Sequence, residues 1–131
     1  MVALLLVTHG DLANALVGSA KLIMGEVPLV ESYGLYHGDD IDALKDTVKD
    51  AIVRLEEQSG GDGVLVLTDL LGGSPYNATA RSFYELGSEV KAECITGVNL
   101  PMLLEAASGT SYLNLEELKS ACLTSGPEGI V

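Results

Sequence analysis

Val2-Ala3-Leu4-Leu5-Leu6-Val7-Thr8-His9-Gly10-Asp11 opens the chain with an unbroken apolar run that leads straight into a histidine. Apolar residues without polar alternation suit a strand covered on both faces, as the parallel strands of α/β proteins are. Periodicity alone does not separate such a run from a helix. Its length does, since about six residues is short for a helix, and Gly10 interrupts the run before an aspartate suited to capping the next one. His9 is thereby predicted in a strand-to-helix turn. In open α/β sheets ligands gather outside the carboxyl ends of strands, so a titratable ring held there is a candidate for chemistry.

Working outward, Gly63-Val64-Leu65-Val66-Leu67 repeats the pattern and is followed at once by Thr68-Asp69-Leu70-Leu71-Gly72-Gly73-Ser74-Pro75. Two uniformly apolar strands belong in the middle of a sheet. Leu29 to Tyr36, with Glu31 and Ser32 inside it, reads as an edge, as does Glu89 to Thr96, where Lys91 and Glu93 alternate with Val90, Ala92 and Cys94. Helical spacing fills the gaps. It links Leu12, Ala15, Leu16, Ala20, Ile23 and Met24 before Gly25, and then Ile41, Leu44, Val48, Ile52 and Leu55 between the capping aspartates 39 and 40 and Ser59-Gly60-Gly61. Tyr76, Thr79, Ala80 and Phe83 follow Ser74 as N-cap, with Pro75 in the first turn. Met102 to Ala106 and about Leu115 to Leu123 complete the helices.

Strands alternating with helices imply right-handed parallel crossovers. The predicted fold is α/β, an open, doubly wound, mainly parallel sheet of order 2-1-3-4 with helices on both faces, and residues 1–131 are expected to form a single domain.

Composition narrows the function. With 131 residues, 47% of them hydrophobic, the chain can bury one sizeable core. Asp and Glu number 19 against 7 Lys and Arg, a net charge of -12, which disfavours nucleic acid and anionic membranes as partners. No run approaches the roughly 18 to 20 apolar residues of a membrane span, and no basic region precedes the first apolar run, so a cytoplasmic location is expected. Cys94 and Cys122 form no CxxC and are read as reduced core thiols, with neither structural zinc nor a disulfide framework.

The order 2-1-3-4 puts the topological switch point between strands 1 and 3, which His9 and Asp69 terminate. Neighbouring strands lie about 4.8 Å apart, within hydrogen-bonding reach for those side chains. A carboxylate on one imidazole nitrogen fixes the tautomer and leaves the other nitrogen as a nucleophile. Gly72-Gly73-Ser74 offers backbone N–H groups at a helix start, a cradle for an anion. Taken singly each part has an ordinary reading, as a polar loop residue, a cap or a turn. Taken together they point to phosphoryl transfer. His37 follows an edge strand and precedes two aspartates, and is read as structural.

These residues resemble the mannose-type enzyme IIA domains of the phosphoenolpyruvate-dependent sugar phosphotransferase system. The likeness rests on Val-Thr-His-Gly at the N-terminus, Thr-Asp-Leu-Leu-Gly-Gly-Ser-Pro-Tyr-Asn at 68–77 and Gly-Val-Asn-Leu-Pro-Met at 97–102. It implies that His9 is phosphorylated, that Asp69 is its hydrogen-bonding partner, and that Gly72, Gly73 and Ser74 lie beside the phosphoryl group. Thr8, next to His9, is counted with the phosphate-binding groups. The family takes the group from HPr and passes it to a IIB domain, with membrane IIC and IID components served indirectly; no cofactor or metal is expected for this chain. Its members are typically homodimers, often exchanging a C-terminal strand. The chain stops at Gly129-Ile130-Val131, which leaves little room for such a strand. Alternatives are the related carrier serving dihydroxyacetone kinase, a nucleotide- or flavin-binding module, and a Ser74 hydrolase. Neither GxGxxG, GxxxxGK[ST] nor a G-x-S-x-G elbow occurs.

Overall fold

The computed structural model describes residues 1–131. The elements run β1 (Ala3–His9), α1 (Leu12–Met24), β2 (Val30–Leu35), α2 (Ile41–Gln58), β3 (Val64–Thr68), α3 (Ser74–Leu86), a short 3-10 turn at Gly87–Glu89, β4 (Ala92–Ile95), α4 (Leu100–Gly109) and α5 (Leu115–Glu128). The strands form one parallel sheet in the predicted order β2-β1-β3-β4. Its central pair, β1 and β3, is buried apart from His9, whereas every residue of β2 is half-buried, as an edge strand should be. No helix is long and apolar enough to cross a membrane.

Alternation along β1 decides which layer each side chain serves. Val2, Leu4 and Leu6 enter a core shared with Ala13 and Val17 of α1, Leu103 of α4 and Leu118 of α5. Ala3, Leu5 and Val7 enter a second core with Val48, Ile52 and Leu55 of α2 and Ala78 of α3. Two further steps of the same period put Thr8 on the α1 side and His9 on the α3 side.

Thr8 is accordingly fully buried, and its Oγ1 accepts a hydrogen bond from the Ala13 N–H at 2.8 Å. That is the capping expected of Asp11. Asp11 stands at the N-cap with helical dihedrals, φ -84° and ψ -1°, and makes no cap bond. A capping side chain needs an extended backbone there. The Asp11 carboxylate instead accepts from the Tyr36 hydroxyl at 2.6 Å. Thr8 therefore holds the start of α1, behind the site rather than among groups open to phosphate.

Two helices also bury faces other than those expected. In α1 the buried residues are Ala13, Val17 and Ala20, with Leu16 and Met24 packed beside them, while Leu12, Leu22 and Ile23 are exposed. The helix is apolar almost all round, so periodicity selects no face, and the small Ala13 and Ala20 decide it by letting α1 lie close on the sheet. In α3 the buried set is Pro75, Ala78, Thr79 and Ser82. The hydroxyls of Thr79 and Ser82 donate to the Pro75 and Ala78 carbonyls at 2.9 and 2.8 Å, so they enter the core with their polarity satisfied.

Asp40 caps α2 as expected, accepting from the Asp42 N–H, while Asp39 accepts from the Tyr36 N–H. An Asn114–Glu117 capping box opens α5, which continues past Leu123. Burial pushes the unpaired Cys94 thiol up to about 11 and the Cys122 thiol up to about 12.

Thr8→Val keeps the shape of the side chain but orphans the Ala13 N–H. A loss of about 1 to 2 kcal/mol is expected, measured by urea denaturation. Unchanged stability would mean that α1 is capped by another group.

Candidate functional site

The register Val7↔Thr68 brings the ends of β1 and β3 out together where the strand order reverses. His9 is the last residue of β1, and Asp69 is the first after β3. A single carboxylate oxygen, Asp69 Oδ2, accepts the His9 backbone N–H at 2.9 Å and lies 2.8 Å from the ring Nδ1. Main chain and ring of one residue are thus tied to one atom. The His9 side chain is 47% exposed and that of Asp69 14%, so the ring faces outward while its partner is largely covered.

Opposed effects act on the Asp69 carboxyl. Burial, the largest single one, raises its pKa, while the hydrogen bonds from the His9 backbone and ring, the ring's charge and the residue's own N–H together outweigh it and hold the carboxyl below its ordinary value. An ionised carboxylate only accepts hydrogen bonds. In the neutral ring Nδ1 must therefore carry the hydrogen, which leaves the lone pair on Nε2. The other oxygen, Asp69 Oδ1, is buried without a hydrogen-bond partner, and both bonds from His9 fall on Oδ2.

The loop behind the ring is built around its glycines. Leu70 to Gly73 is a tight turn closed by the Gly73 N–H to the Leu70 carbonyl at 3.1 Å, with Gly72 at φ 80° in its third position. The N–H of Gly73 is therefore already used. What Gly73 contributes is room: a Cβ there would stand 2.9 Å from His9 Cε1. Gly73, not Ser74, is the N-cap of α3, with extended dihedrals φ -72° and ψ 166°. Ser74 is the first helical residue, and its side chain takes no part in capping. Its N–H and that of Tyr76 have no acceptor within the helix, and Pro75 has no N–H. A helix start with unspent donors beside an imidazole suits an anion. Asn77 Nδ2 steadies the turn by donating to the Gly72 carbonyl at 3.2 Å.

Of the residues singled out from the sequence, His9, Asp69 and Gly73 come into contact, Gly72 and Ser74 flank Gly73, and Thr8 lies behind them. His37 is exposed in the loop after β2. Sequence reasoning missed the other side of the turn. The Gly10 N–H donates to the Leu35 carbonyl at 2.8 Å, and the Gly10 carbonyl passes so near Gly34 that an added Cβ would lie 2.0 Å away. A lone glycine inside a strand was the available signal. The exposed Leu70 and Leu71, beside the site, were passed over too.

The surface has four cavities, the largest about 350 Å³ between β4 and the start of α5, and none is lined by His9, Asp69 or residues 72–74. Small-molecule sites are concave. His9 instead stands on an open rim, outside these cavities, with its side chain 47% exposed.

Fold and site together define a parallel α/β protein whose switch point carries a carboxylate-held histidine beside a helix start. The family described as PTS system fructose IIA component matches residues 3–123. The chain belongs to this family of phosphotransferase-system IIA components. It is 34% identical over 118 residues to the PTS system fructose-specific EIIA component of Bacillus subtilis, covering 90% of this chain and 77% of that protein. It is 30% identical over 130 residues to the PTS system mannose-specific EIIAB component of Escherichia coli, covering 98% of this chain but 38% of that longer protein. The crystal structure of phosphotransferase system component EIIA from Streptococcus agalactiae matches with a TM-score of 0.89 at 28% identity, covering all of this chain and 96% of that one.

The lowered pKa of Asp69 sets a pH dependence. Its pairing contributes stability that is fully present above about pH 4, the unfolded carboxylate value, and that is lost as pH falls through the lower folded value. Wild type is therefore expected to exceed Asp69→Asn in urea midpoint most at neutral pH, with the two converging under acid. A gap independent of pH would contradict the charged pairing.

Proposed function

We propose that residues 1–131 act as one cytoplasmic phosphocarrier domain, a homodimer, in which His9 takes a phosphoryl group from HPr and gives it to a IIB domain for phosphorylation-coupled sugar uptake. Membrane IIC and IID components are then served indirectly. The observation that carries this reading is the double acceptance at Asp69 Oδ2, which orients Nε2 outward with its lone pair. In the forward step a bond forms between His9 Nε2 and phosphorus while the bond from phosphorus to the donor histidine breaks. Nδ1 keeps its hydrogen throughout. Asp69 acts as the orienting group and stabilises the positive charge that develops on the ring, without becoming a nucleophile.

The reading gives Gly72, Gly73 and Ser74 distinct parts. Gly72 shapes the turn, Gly73 leaves room for the ring, and Ser74 supplies its N–H and hydroxyl to the phosphoryl oxygens, where preorganised donors are most effective. No lysine or arginine is paired with His9 or Asp69, so the charge is met by helix-start dipoles on this side of the transfer. The names of the relatives, fructose-specific and mannose-specific among them, support sugar uptake as the setting.

Incubation with phosphoenolpyruvate, enzyme I and HPr is expected to label the wild-type protein at an acid-labile, alkali-stable position. His9→Ala is expected to abolish the label while leaving the protein folded, with stability lower by about 1 to 3 kcal/mol because the Asp69 carboxylate loses the ring as a donor. Label that persists in this variant would refute the assignment.

A further inference from the structure

Gly97-Val98-Asn99-Leu100-Pro101-Met102 follows β4, on the side of β3 away from His9, and the chemistry described so far does not use it. β4 ends at Ile95, opposite Leu67, one residue short of the end of β3. The Thr68 carbonyl is nevertheless held, because the chain turns at Gly97, φ 76°, and the Val98 N–H donates to it at 3.1 Å. That carbonyl belongs to the peptide group joining Thr68 to Asp69, and the N–H of the same group lies on the Asp69 carboxylate. A planar peptide turns as one piece. Holding its oxygen therefore holds its N–H, and with it the carboxylate that orients His9.

Asn99 decides where Val98 stands. Its Oδ1 accepts the Met102 N–H at 3.0 Å, capping α4, and its Nδ2 donates to the Gly126 carbonyl at 2.9 Å in the last turn of α5. One amide thus serves an orphan donor at a helix start and an orphan acceptor at a helix end. Two glycines let these turns come close: a Cβ on Gly126 would stand 2.8 Å from Met102 Cε, and one on Gly129 2.5 Å from Pro101 Cγ. Packing alone does not hold the loop, since Thr96, Gly97 and Asn99 share a cavity of about 200 Å³ with Leu123, Gly126 and Pro127. The hydrogen bond from Asn99 bridges that gap. We propose that Asn99 is a positioning residue for the phosphoryl transfer: by tying the loop after β4 to the end of α5 it keeps the Val98 N–H on the Thr68 carbonyl, and so keeps Asp69 Oδ2 on the backbone and ring of His9. Its effect on rate rests on the phosphocarrier reading above; its effect on the imidazole does not.

Asn99→Asp and Asn99→Ser separate the bridge from the cap. Asp and Ser cap a helix about as well as Asn, but a carboxylate has no hydrogen to donate, and a serine hydroxyl is too short to reach Gly126. The measurements are rapid-quench transfer from phosphorylated HPr and the nitrogen-15 shifts of the His9 ring. Asn114→Ala is the control, because it removes the cap of α5 at the other end of the sheet, beside the start of β4. Each Asn99 variant is expected to fold, to accept the phosphoryl group about tenfold more slowly, and to move the Nε2 resonance toward its protonated value as the hydrogen divides between the two nitrogens. Asn114→Ala is expected to lose stability while keeping the wild-type rate and shifts. Wild-type rate and shifts in a folded Asn99 variant overturn the proposal and leave the phosphocarrier reading intact. Equal slowing in Asn114→Ala would make the Asn99 effect one of general stability and overturn it as well. A wild type that takes no phosphoryl group would instead fail the phosphocarrier reading, with the ring shifts still deciding for or against Asn99.

Discussion

Asp69 Oδ2 holds His9 twice, by its backbone N–H and by its ring, and the geometry of the site depends on that atom. The bond to the main chain anchors the end of β1 to the end of β3. The bond to the ring then fixes the imidazole relative to a backbone that is itself fixed. Dependence runs the other way as well, because Oδ1 is buried with no partner and the carboxylate has His9 as its source of side-chain hydrogen bonds. A buried acceptor stripped of its donor costs about 1 to 3 kcal/mol, and more when charged. Chemistry at His9 is therefore cheap only where it spares the Nδ1–H.

The remaining architecture delivers these two residues to one place. The 2-1-3-4 order puts β1 beside β3, and the register lets both strands end together at the reversal point. Strand alternation then sends Thr8 inward under α1 and His9 outward against Gly73 at the start of α3. A slip of one residue would turn each of them to the opposite face of the sheet and break the pairing of His9 with Asp69. The apolar residues Val2 to Val7 prevent it, since the slip would also send each of them into the opposite core.

Much of this was legible in the sequence because it follows from rules local to the chain. Uniform apolarity marked β1 and β3 as central, mixed polarity marked β2 and β4 as edges, and handedness then left one strand order, from which the meeting of His9 and Asp69 followed. What was not legible concerns choices made by packing. Thr8 and Asp11 are both competent caps, and only the dihedrals at Asp11 decide between them. Ser74 is a good N-cap by type, yet the Leu70–Gly73 turn moves the cap to Gly73. α1 is apolar on two sides, so its inward face was settled by which side chains were small enough to lie on the sheet.

Which ring nitrogen takes the phosphoryl group decides whether Asp69 holds the ring through the transfer. Its most direct test is nitrogen-15 NMR of the His9 ring in protein phosphorylated through enzyme I and HPr. Phosphorus bound to Nε2, with Nδ1 still protonated and hydrogen-bonded, is the predicted result. Phosphorus bound to Nδ1 would require the ring to have left Asp69, and would contradict the account.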